Sequence, residues 1–136
     1  MSWAQAQDAL QSIRTQVFIE EQGIDPADEW DPADRDAIHL LAERDGTAVG
    51  CARILDRQKI GRMAVLPSVR HKNIGSKLLR AAIQIIQDAG QTPTLGAQIT
   101  AMGFYANHGF LPEGPVFDDA GIPHRTMTLT GDTSKT

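Results

Sequence analysis

One stretch of the chain combines the residue types that bind an anionic group. It runs Ile60-Gly-Arg-Met-Ala-Val-Leu-Pro-Ser-Val-Arg70-His-Lys-Asn-Ile-Gly75-Ser-Lys-Leu-Leu79, the pattern of a strand, a proline stop, a basic loop and an amphipathic helix. A loop that enters a helix presents unpaired backbone N–H groups, and the helix dipole favours negative charge there. Arg70 and Lys72 add positive charge, Asn73 tolerates a left-handed conformation and Gly75 allows close approach. The stretch therefore predicts an anion cradle over residues 71 to 76, the alternative being an ordinary connection with exposed bases.

Charged residues are segregated along the chain. Residues 20 to 36 carry eight acidic side chains against one basic one, whereas residues 57 to 87 carry seven basic side chains and no acidic one. Either run could simply be a solvated face, but opposite runs in one small domain favour an anionic ligand on one side and a cationic ligand on the other. The acidic run could instead bind a divalent metal, although its spacing departs from the EF-hand pattern and two prolines interrupt it.

The composition indicates one globular domain. A chain of 136 residues with 41% hydrophobic and 22% charged residues can form a core without disulfides or a structural metal. The net charge of -4 and the pI near 5.4 argue against non-specific nucleic-acid binding. The single cysteine, Cys51, suits a reducing compartment and is expected to be buried. With no basic leader and no apolar run of membrane-spanning length, the sequence predicts a cytoplasmic protein with no membrane partner.

Local patterns predict the elements that would position these residues. In chain order they are a helix from a Ser2–Gln5 capping box to Gly23, strands at Ile38–Glu43 and Thr47–Leu55 joined by an Asp45-Gly46 turn, a strand at Lys59–Leu66, a helix at Ser76–Gly90, a strand at Thr94–Ile99, a helix at Thr100–His108 and a strand at Arg125–Leu129. These elements predict one α/β (α+β) domain over residues 1–130, with helices covering a mixed sheet, and a disordered tail over 131–136.

Several segments resemble one family of enzymes. Val65-x-Pro67-x-x-Arg70-x-x-Asn73-x-Gly75-x-x-Leu78-Leu79 resembles the acetyl-CoA signature of the GNAT acyltransferases, R/Q-x-x-G-x-G/A. The segment Gln98-Ile-Thr-Ala101-Met-Gly-Phe-Tyr105-Ala-Asn-His-Gly109-Phe110 is similar to that family's N-x-x-A-x-x-x-Y-x-x-x-G-F segment. A narrower resemblance, to the YjcF-like and ElaA-like branch of the family, rests on Val17–Gln22, Ala37–Leu41, Gly96–Gln98 and Asp119–His124. Together these segments span most of the chain.

The resemblance implies the GNAT acyl-CoA N-acyltransferase fold, a mixed and mostly antiparallel sheet flanked by helices. This chain departs from the family pattern at Asn73, where glycine is usual, and at Gln98, where asparagine is usual. The family's first strand normally precedes the first helix, and only Met1 to Trp3 are available for it here. That strand is expected to be missing or supplied by a partner, and a homodimer would cover the sheet edge that its absence leaves unpaired.

The resemblance also implies the chemistry, which is acetyl transfer from acetyl-CoA, the co-substrate. Loop amides would hold the CoA pyrophosphate, and main-chain groups at a bulge in the third strand would contact pantetheine and the acetyl carbonyl. The implied cofactor contacts are Met63, Ala64, Val65, Arg70, His71, Lys72, Asn73, Ile74, Gly75, Ser76, Gln98 and Tyr105. Tyr105 also falls where many family members keep the tyrosine that protonates the departing thiolate; the alternative is a core aromatic beside Phe104.

Transfer to a lysine-like amine requires a base, because the amine, with a pKa of about 10.4, is charged at neutral pH. The carboxylates and imidazoles that could remove this proton are Glu21, Glu29, Asp36, His39 and His124. Each could equally be a helix cap, a surface charge or a satisfied polar group, and the sequence does not choose among them. His71 lies in the loop and His108 is expected to be exposed, so neither is a candidate.

The sequence therefore predicts an N-acetyltransferase that acts by direct transfer on a primary amine of a small molecule or peptide, with no nucleic-acid partner. The alternative is a CoA-binding module that has lost catalysis, with Tyr105 packed in the core.

Overall fold

The computed structural model describes residues 3–25, 32–70 and 73–129. The first helix, α1, spans Trp3–Arg14 and continues as a π-helical segment over Thr15–Glu21. Its buried apolar side chains are Leu10, Ile13, Val17 and Phe18. The predicted stop at Gly23 is confirmed, since Gly23 adopts a positive φ of 73° and its N–H donates to the Ile19 carbonyl.

The six strands form one sheet in the order β1-β2-β3-β4-β6-β5. They are β1 (Ile38–Arg44), β2 (Thr47–Leu55), β3 (Lys59–Val65), β4 (Thr94–Gln98), β5 (Phe110–Asp119) and β6 (Ile122–Leu129). Every neighbouring pair is antiparallel except β3 and β4, which are parallel. The expected class, a mixed and mostly antiparallel sheet flanked by helices, is confirmed.

The connections that carry strong turn signals form as predicted. Asp45 and Gly46 both have positive φ, 54° and 81°, as the two-residue turn between β1 and β2 requires. The second helix, α2, spans Ile74–Asp88, and the chain leaves it through Gly90 with a φ of 77°.

The predicted helix over Thr100–His108 is much shorter in the structure. A 3-10 turn at Ile99–Ala101 leads into α3, which spans only Met102–Ala106. The N–H groups of His108 and Gly109 donate three residues back, to the carbonyls of Tyr105 and Ala106, which tightens the chain out of the helix.

β5 was not predicted from the sequence, and β6 begins three residues earlier than predicted. Pro112, Gly114 and Pro115 disfavour a strand, but β5 lies at the sheet edge, where a proline has no partner strand on its outer side. The pairing with β6 is irregular between Glu113 and Phe117, which accommodates these residues. A tight turn at Ala120 and Gly121, both with positive φ, then starts β6 at Ile122.

Helices cover both faces of the sheet. One core cluster joins α2 to the sheet and consists of Ile54, Ile60, Leu79, Ala82, Ile86, Leu95, Ala97, Phe110 and Met127. A second cluster joins the first helix and its π-helical continuation to the sheet and consists of Leu10, Ile13, Val17, Phe18, Cys51 and Ala64. Cys51 is buried, as expected.

The remaining expectations concern the chain ends, the first strand, membrane spans and the domain boundary. Ser2 of the predicted cap and the tail over 131–136 lie outside the described residues. Within the described ranges no strand precedes α1, and β1 forms one edge of the sheet. In the same ranges no helix is both long and apolar enough to cross a membrane. The single-domain boundary at residue 130 stays a prediction.

Candidate active site

The parallel strands β3 and β4 separate almost as soon as they have paired. Only Lys59 with Thr94 and Ile60 with Leu95 are in register; beyond them β4 continues alongside β6 while β3 follows β2. A cleft of about 300 Å³ opens between the diverging strands. It brings together predicted site residues from four parts of the chain, namely Met63, Ala64, Val65, Arg70, Gln98, Tyr105 and His124.

The β3 side of the cleft is shaped by a bulge. Cys51 pairs with Ala64 and Arg53 pairs with Gly61, so β3 has one more residue between these pairs than β2 has. Arg62, inside the bulge, has a φ of 46°, an uncommon conformation for a residue with a side chain. A bulge leaves a residue out of the strand ladder and re-aims the groups beside it. The expected irregularity in the third strand is therefore present, next to Met63.

The N-terminus of α2 carries the features expected of the cradle. Asn73 has φ 64° and ψ 14°, so it adopts the left-handed conformation for which glycine is the usual choice. The Asn73 side chain makes no cap hydrogen bond, and no acidic residue occupies the first turn of the helix. The first N–H groups of a helix have no partner within the helix itself. His71 and Lys72, which were predicted to complete the cradle, lie outside the described residues.

The first turn of α2 packs against α3. A Cβ atom added at Gly75 would lie 3.4 Å from Phe104 Cζ, so glycine lets the ring sit directly on the helix. Ser76 Oγ lies 3.1 Å from His108 Nε2, and the His108 ring packs edge-on against Phe104. His108 is half-buried, not exposed as expected, and burial together with the charge of Arg80 lowers the pKa of its imidazole.

The Arg70 side chain makes three hydrogen bonds beside the cleft. Its Nε donates to the Val65 carbonyl over 2.9 Å, and its two Nη atoms donate to the two carboxylate oxygens of Glu21, each over 2.7 Å. The hydrogen bonds from Arg70 lower the pKa of Glu21. A predicted phosphate ligand and a predicted base are therefore bound to each other, and this ion pair joins the acidic run to the basic run.

Tyr105 lies between the cleft and the core. Its ring packs edge-on against Phe104 and Phe110, with centroid distances of 5.1 and 6.2 Å. Burial raises the pKa of the Tyr105 phenol to about 12. The hydroxyl therefore keeps its proton at neutral pH and is available as a hydrogen-bond donor.

His124 lies directly across from Gln98 in the register of β6 and β4. Its Nδ1 lies 2.7 Å from the Ile122 carbonyl, so Nδ1 carries the hydrogen and Nε2 of the neutral ring carries the lone pair. The ring stacks on Phe117 at a centroid distance of 5.8 Å. Gln98 Nε2 donates to Gln22 Oε1 over 2.9 Å, which links β4 to the end of the π-helical segment.

The structure separates the five candidate bases. Of those it describes, His124 alone lines the cleft, and Glu21 lies beside it, bound to Arg70. His39 is fully buried on β1, where its Nε2 donates to the Asp34 carbonyl, and it does not reach the cleft. Asp36 is exposed and lines no part of the cleft, and Glu29 lies outside the described residues.

A buried cluster of charged side chains was not predicted at all. Asp34 Oδ1 accepts hydrogen bonds from Nη1 of both Arg14 and Arg53, each over 3.0 Å, and His39 contacts the Asp34 main chain. Arg53 also lines the cleft. The position of Arg14 was a usable signal, because it falls on the apolar face of the first helix between Ile13 and Val17. A charge on an inward face requires a buried partner.

Other lining residues also went unpredicted, among them Gln22, Arg62, Phe117 and Asp119. The hairpin that carries Phe117 and Asp119 was not recognised, so its contribution could not be anticipated. The metal alternative has no site in the part of the chain that the structure describes, where no three His, Cys, Asp or Glu side chains lie close enough to bind an ion.

Comparison with known proteins gives a consistent result. The family described as Acetyltransferase (GNAT) domain matches residues 12–131. The protein ElaA of Escherichia coli (strain K12) is 30% identical over 128 residues, which cover 88% of this chain and 84% of ElaA. The crystal structure of Escherichia coli ElaA superposes with a TM-score of 0.82, covering 96% of this chain and 93% of that one.

Two further solved structures share the fold. An acyl-CoA N-acyltransferase from Pseudomonas aeruginosa is 32% identical, with a TM-score of 0.80 over 90% of this chain and 88% of that one. An aminoglycoside 6'-N-acetyltransferase in complex with coenzyme A is 16% identical, with a TM-score of 0.67 over 93% of this chain and 92% of that one. At the latter identity the similarity is one of fold alone; the coenzyme A is bound to that protein.

Proposed function

The chain belongs to the GNAT acetyltransferase family, and from this premise we propose that it transfers the acetyl group of acetyl-CoA directly to a primary amine of a small molecule or peptide. The observation that carries the proposal is the cleft between β3 and β4, which is lined by the bulge of β3 and by Gln98, Tyr105 and His124, with the first turn of α2 beside Val65. Acetyl-CoA supplies an activated acyl group as a thioester. The protein has to bind it, orient it and manage two protons.

The residues of the cradle fit the phosphates of coenzyme A. Asn73 turns the chain into α2 in a left-handed conformation, and its side chain does not cap the first N–H groups of that helix. Backbone donors with a favourable dipole bind phosphate oxygens without a dedicated side chain. Residues 71 to 76 would therefore hold the pyrophosphate, with Gly75 and Ser76 positioned by α3.

The main chain of Met63, Ala64 and Val65 would contact the pantetheine arm and the acetyl carbonyl. Fixed backbone donors at this bulge would stabilise the negative charge that develops on the carbonyl oxygen during attack. Gln98, on the opposite side of the cleft, would bind the same arm from β4.

His124 is our choice of base. Its Nδ1–H is fixed on the Ile122 carbonyl, so the remaining nitrogen can accept a proton, directly or through one water. It would take the proton that the amine must lose as the C–N bond forms and the C–S bond breaks.

Tyr105 would stabilise the departing thiolate by donating a hydrogen bond to its sulfur. A thiol of this kind has a pKa of about 8.5, whereas the Tyr105 phenol has a pKa of about 12. Complete transfer of the phenolic proton to the thiolate is therefore unfavourable. This refines the expectation from the sequence, in which Tyr105 protonates the thiolate outright.

The test combines binding with turnover. Calorimetry with coenzyme A and with acetyl-CoA measures the cradle, and release of free thiol from acetyl-CoA across a panel of primary amines measures transfer. We expect binding together with turnover on at least one amine. Binding without turnover on a broad panel would support the inactive CoA-binding module instead, and absence of binding would refute both.

The assignment of the base has its own test. His124→Asn should lower kcat by about 10²- to 10⁴-fold, the usual contribution of a general base, with little change in affinity for acetyl-CoA. Asp36→Asn is the matched control, because the sequence also made Asp36 a candidate base, but its side chain lies outside the cleft. Equal activity of the two variants would remove His124 from this role.

A further inference from the structure

The end of the π-helical segment is tied to both sides of the cleft. Glu21 binds Arg70, which follows β3, and Gln22 binds Gln98, the last residue of β4. We call these four residues the clasp. Successive residues of a helix point in different directions, so neighbours such as Glu21 and Gln22 can reach different sides of the cleft.

The Glu21–Arg70 half of the clasp is the stronger one. Each carboxylate oxygen accepts one hydrogen bond from one terminal nitrogen over 2.7 Å, a bidentate geometry that fixes orientation as well as distance. The same guanidinium donates through Nε to the carbonyl of Val65, the last residue of β3. Arg70 therefore joins the wall formed by the π-helical segment to the main chain at the end of β3.

The wall held by the clasp is the one that an acceptor would meet. Val17 and Phe18 from this segment, and Gln22 directly after it, line the cleft together with the hairpin residues Phe117 and His124. Arg70, for its part, is the first residue of the loop that leads into the α2 cradle. One ion pair thus connects the cofactor loop with the acceptor wall.

We infer that Glu21 and Arg70 work as a positioning pair, which holds the acceptor wall, the Val65 carbonyl and the start of the cofactor loop in a single arrangement. The inference rests on the proposed function and changes two expected roles. Glu21 is a positioning residue, not the base, because its carboxylate is occupied by Arg70. The guanidinium of Arg70 orders the loop and does not bind phosphate.

The pair makes the two binding sites dependent on each other. Coenzyme A bound at the N-terminus of α2 would hold Arg70 in place, and Arg70 would then hold the π-helical segment through Glu21. Breaking the pair frees the wall and the loop together, so either partner should show the same defect.

A double-mutant cycle tests this without requiring a known amine. The variants are Glu21→Gln, Arg70→Gln, the double variant and the charge-swapped E21R/R70E, with Glu20→Gln as the control because Glu20 is an exposed neighbour of the same type. The readouts are coenzyme A affinity by calorimetry and amide hydrogen exchange over residues 15–22 with and without coenzyme A.

Each single variant should weaken coenzyme A binding by about threefold to fivefold, the range for a well-aligned exposed ion pair. The double variant should be no weaker than Arg70→Gln, and the charge swap should recover part of the loss. Coenzyme A should slow exchange over residues 15–22 in the wild type and in Glu20→Gln, but not in the variants that break the pair.

Additive losses in the double variant would overturn the inference, as would a loss confined to Arg70→Gln, which would place the guanidinium on phosphate. Where an active amine is found, Glu21→Gln should raise the KM for the amine with kcat nearly unchanged; a collapse of kcat alone would make Glu21 the base. Failure of the wild type to bind coenzyme A would instead refute the proposed function, and the inference with it.

Discussion

The buried cluster around Asp34 and the cleft share Arg53, yet their charged groups lie in opposite environments. The Asp34 side chain is 3% exposed and binds two arginines, whereas the Glu21 side chain in the clasp is 39% exposed and binds one. Water cannot replace a lost partner in the cluster, but it can at the clasp. The acidic run of residues 20 to 36 therefore supplies two kinds of charge. Asp34 is a buried charge that stabilises the fold, whereas Glu21 is an exposed charge beside the cleft whose partner can be lost at a low cost in free energy.

The largest expected effect is on the cluster. Asp34→Asn removes the carboxylate that both buried guanidinium groups bind, which should lower the free energy of unfolding by about 3–5 kcal/mol. Glu21→Gln should lower it by no more than about 1 kcal/mol. Denaturant unfolding of both variants measures the difference, and equal losses would break the comparison.

Acid should reproduce part of the Asp34 loss. Burial works to raise the pKa of the Asp34 carboxyl, but hydrogen bonds and charges from Arg14 and Arg53 outweigh it and hold the pKa below its usual value. A depressed pKa adds stability above the unfolded value of about 3.9, and this stability is lost as the pH falls through the folded value. As the pH is lowered from neutral to below about 4, the free energy of unfolding should fall both in the wild type and in Glu21→Gln. A flat profile would contradict the assignment.

A change at Tyr105 should have the opposite effect to Asp34→Asn. It should lower the rate of acetyl transfer and leave the free energy of unfolding unchanged. Tyr105→Phe keeps the packing against Phe104 and Phe110 and removes only the hydroxyl. We expect turnover to fall by about 10²-fold, toward the lower end for a lost donor, with melting temperature and acetyl-CoA affinity nearly unchanged. Full activity in this variant would make Tyr105 a packing residue.

The smallest expected effect concerns the cradle. Gly75→Val places a branched side chain against the Phe104 ring, where a Cβ alone already lies 3.4 Å away. The resulting shift of the first turn of α2 should weaken acetyl-CoA binding about tenfold, which corresponds to about 1.4 kcal/mol. Gly103→Val is the matched control, since a Cβ at Gly103 meets nothing within 4 Å. Unchanged affinity in Gly75→Val would argue against this cradle.

Features that depend on a few consecutive residues could be predicted from the sequence. The apolar repeat of α2, the Asp45-Gly46 turn and the left-handed tolerance of Asn73 are properties of a few consecutive residues, and each appears in the structure as expected. β5 was missed for the complementary reason. Its prolines are unfavourable in an average strand, and only its position at the sheet edge makes them acceptable.

The sequence by itself determined the secondary structure around the cofactor loop, the resemblance to the GNAT family and the set of side chains from which a base could come. Only the tertiary structure shows which of those side chains line the cleft. His39 and His124 both lie near the start of a strand, yet one is buried beside Asp34 and the other lines the cleft. Glu21 and Arg70 are 49 residues apart and become partners only because the end of the first helix packs beside the end of β3. Helical and turn preferences act over a few residues, whereas burial and ion pairing depend on which distant segments the fold brings together.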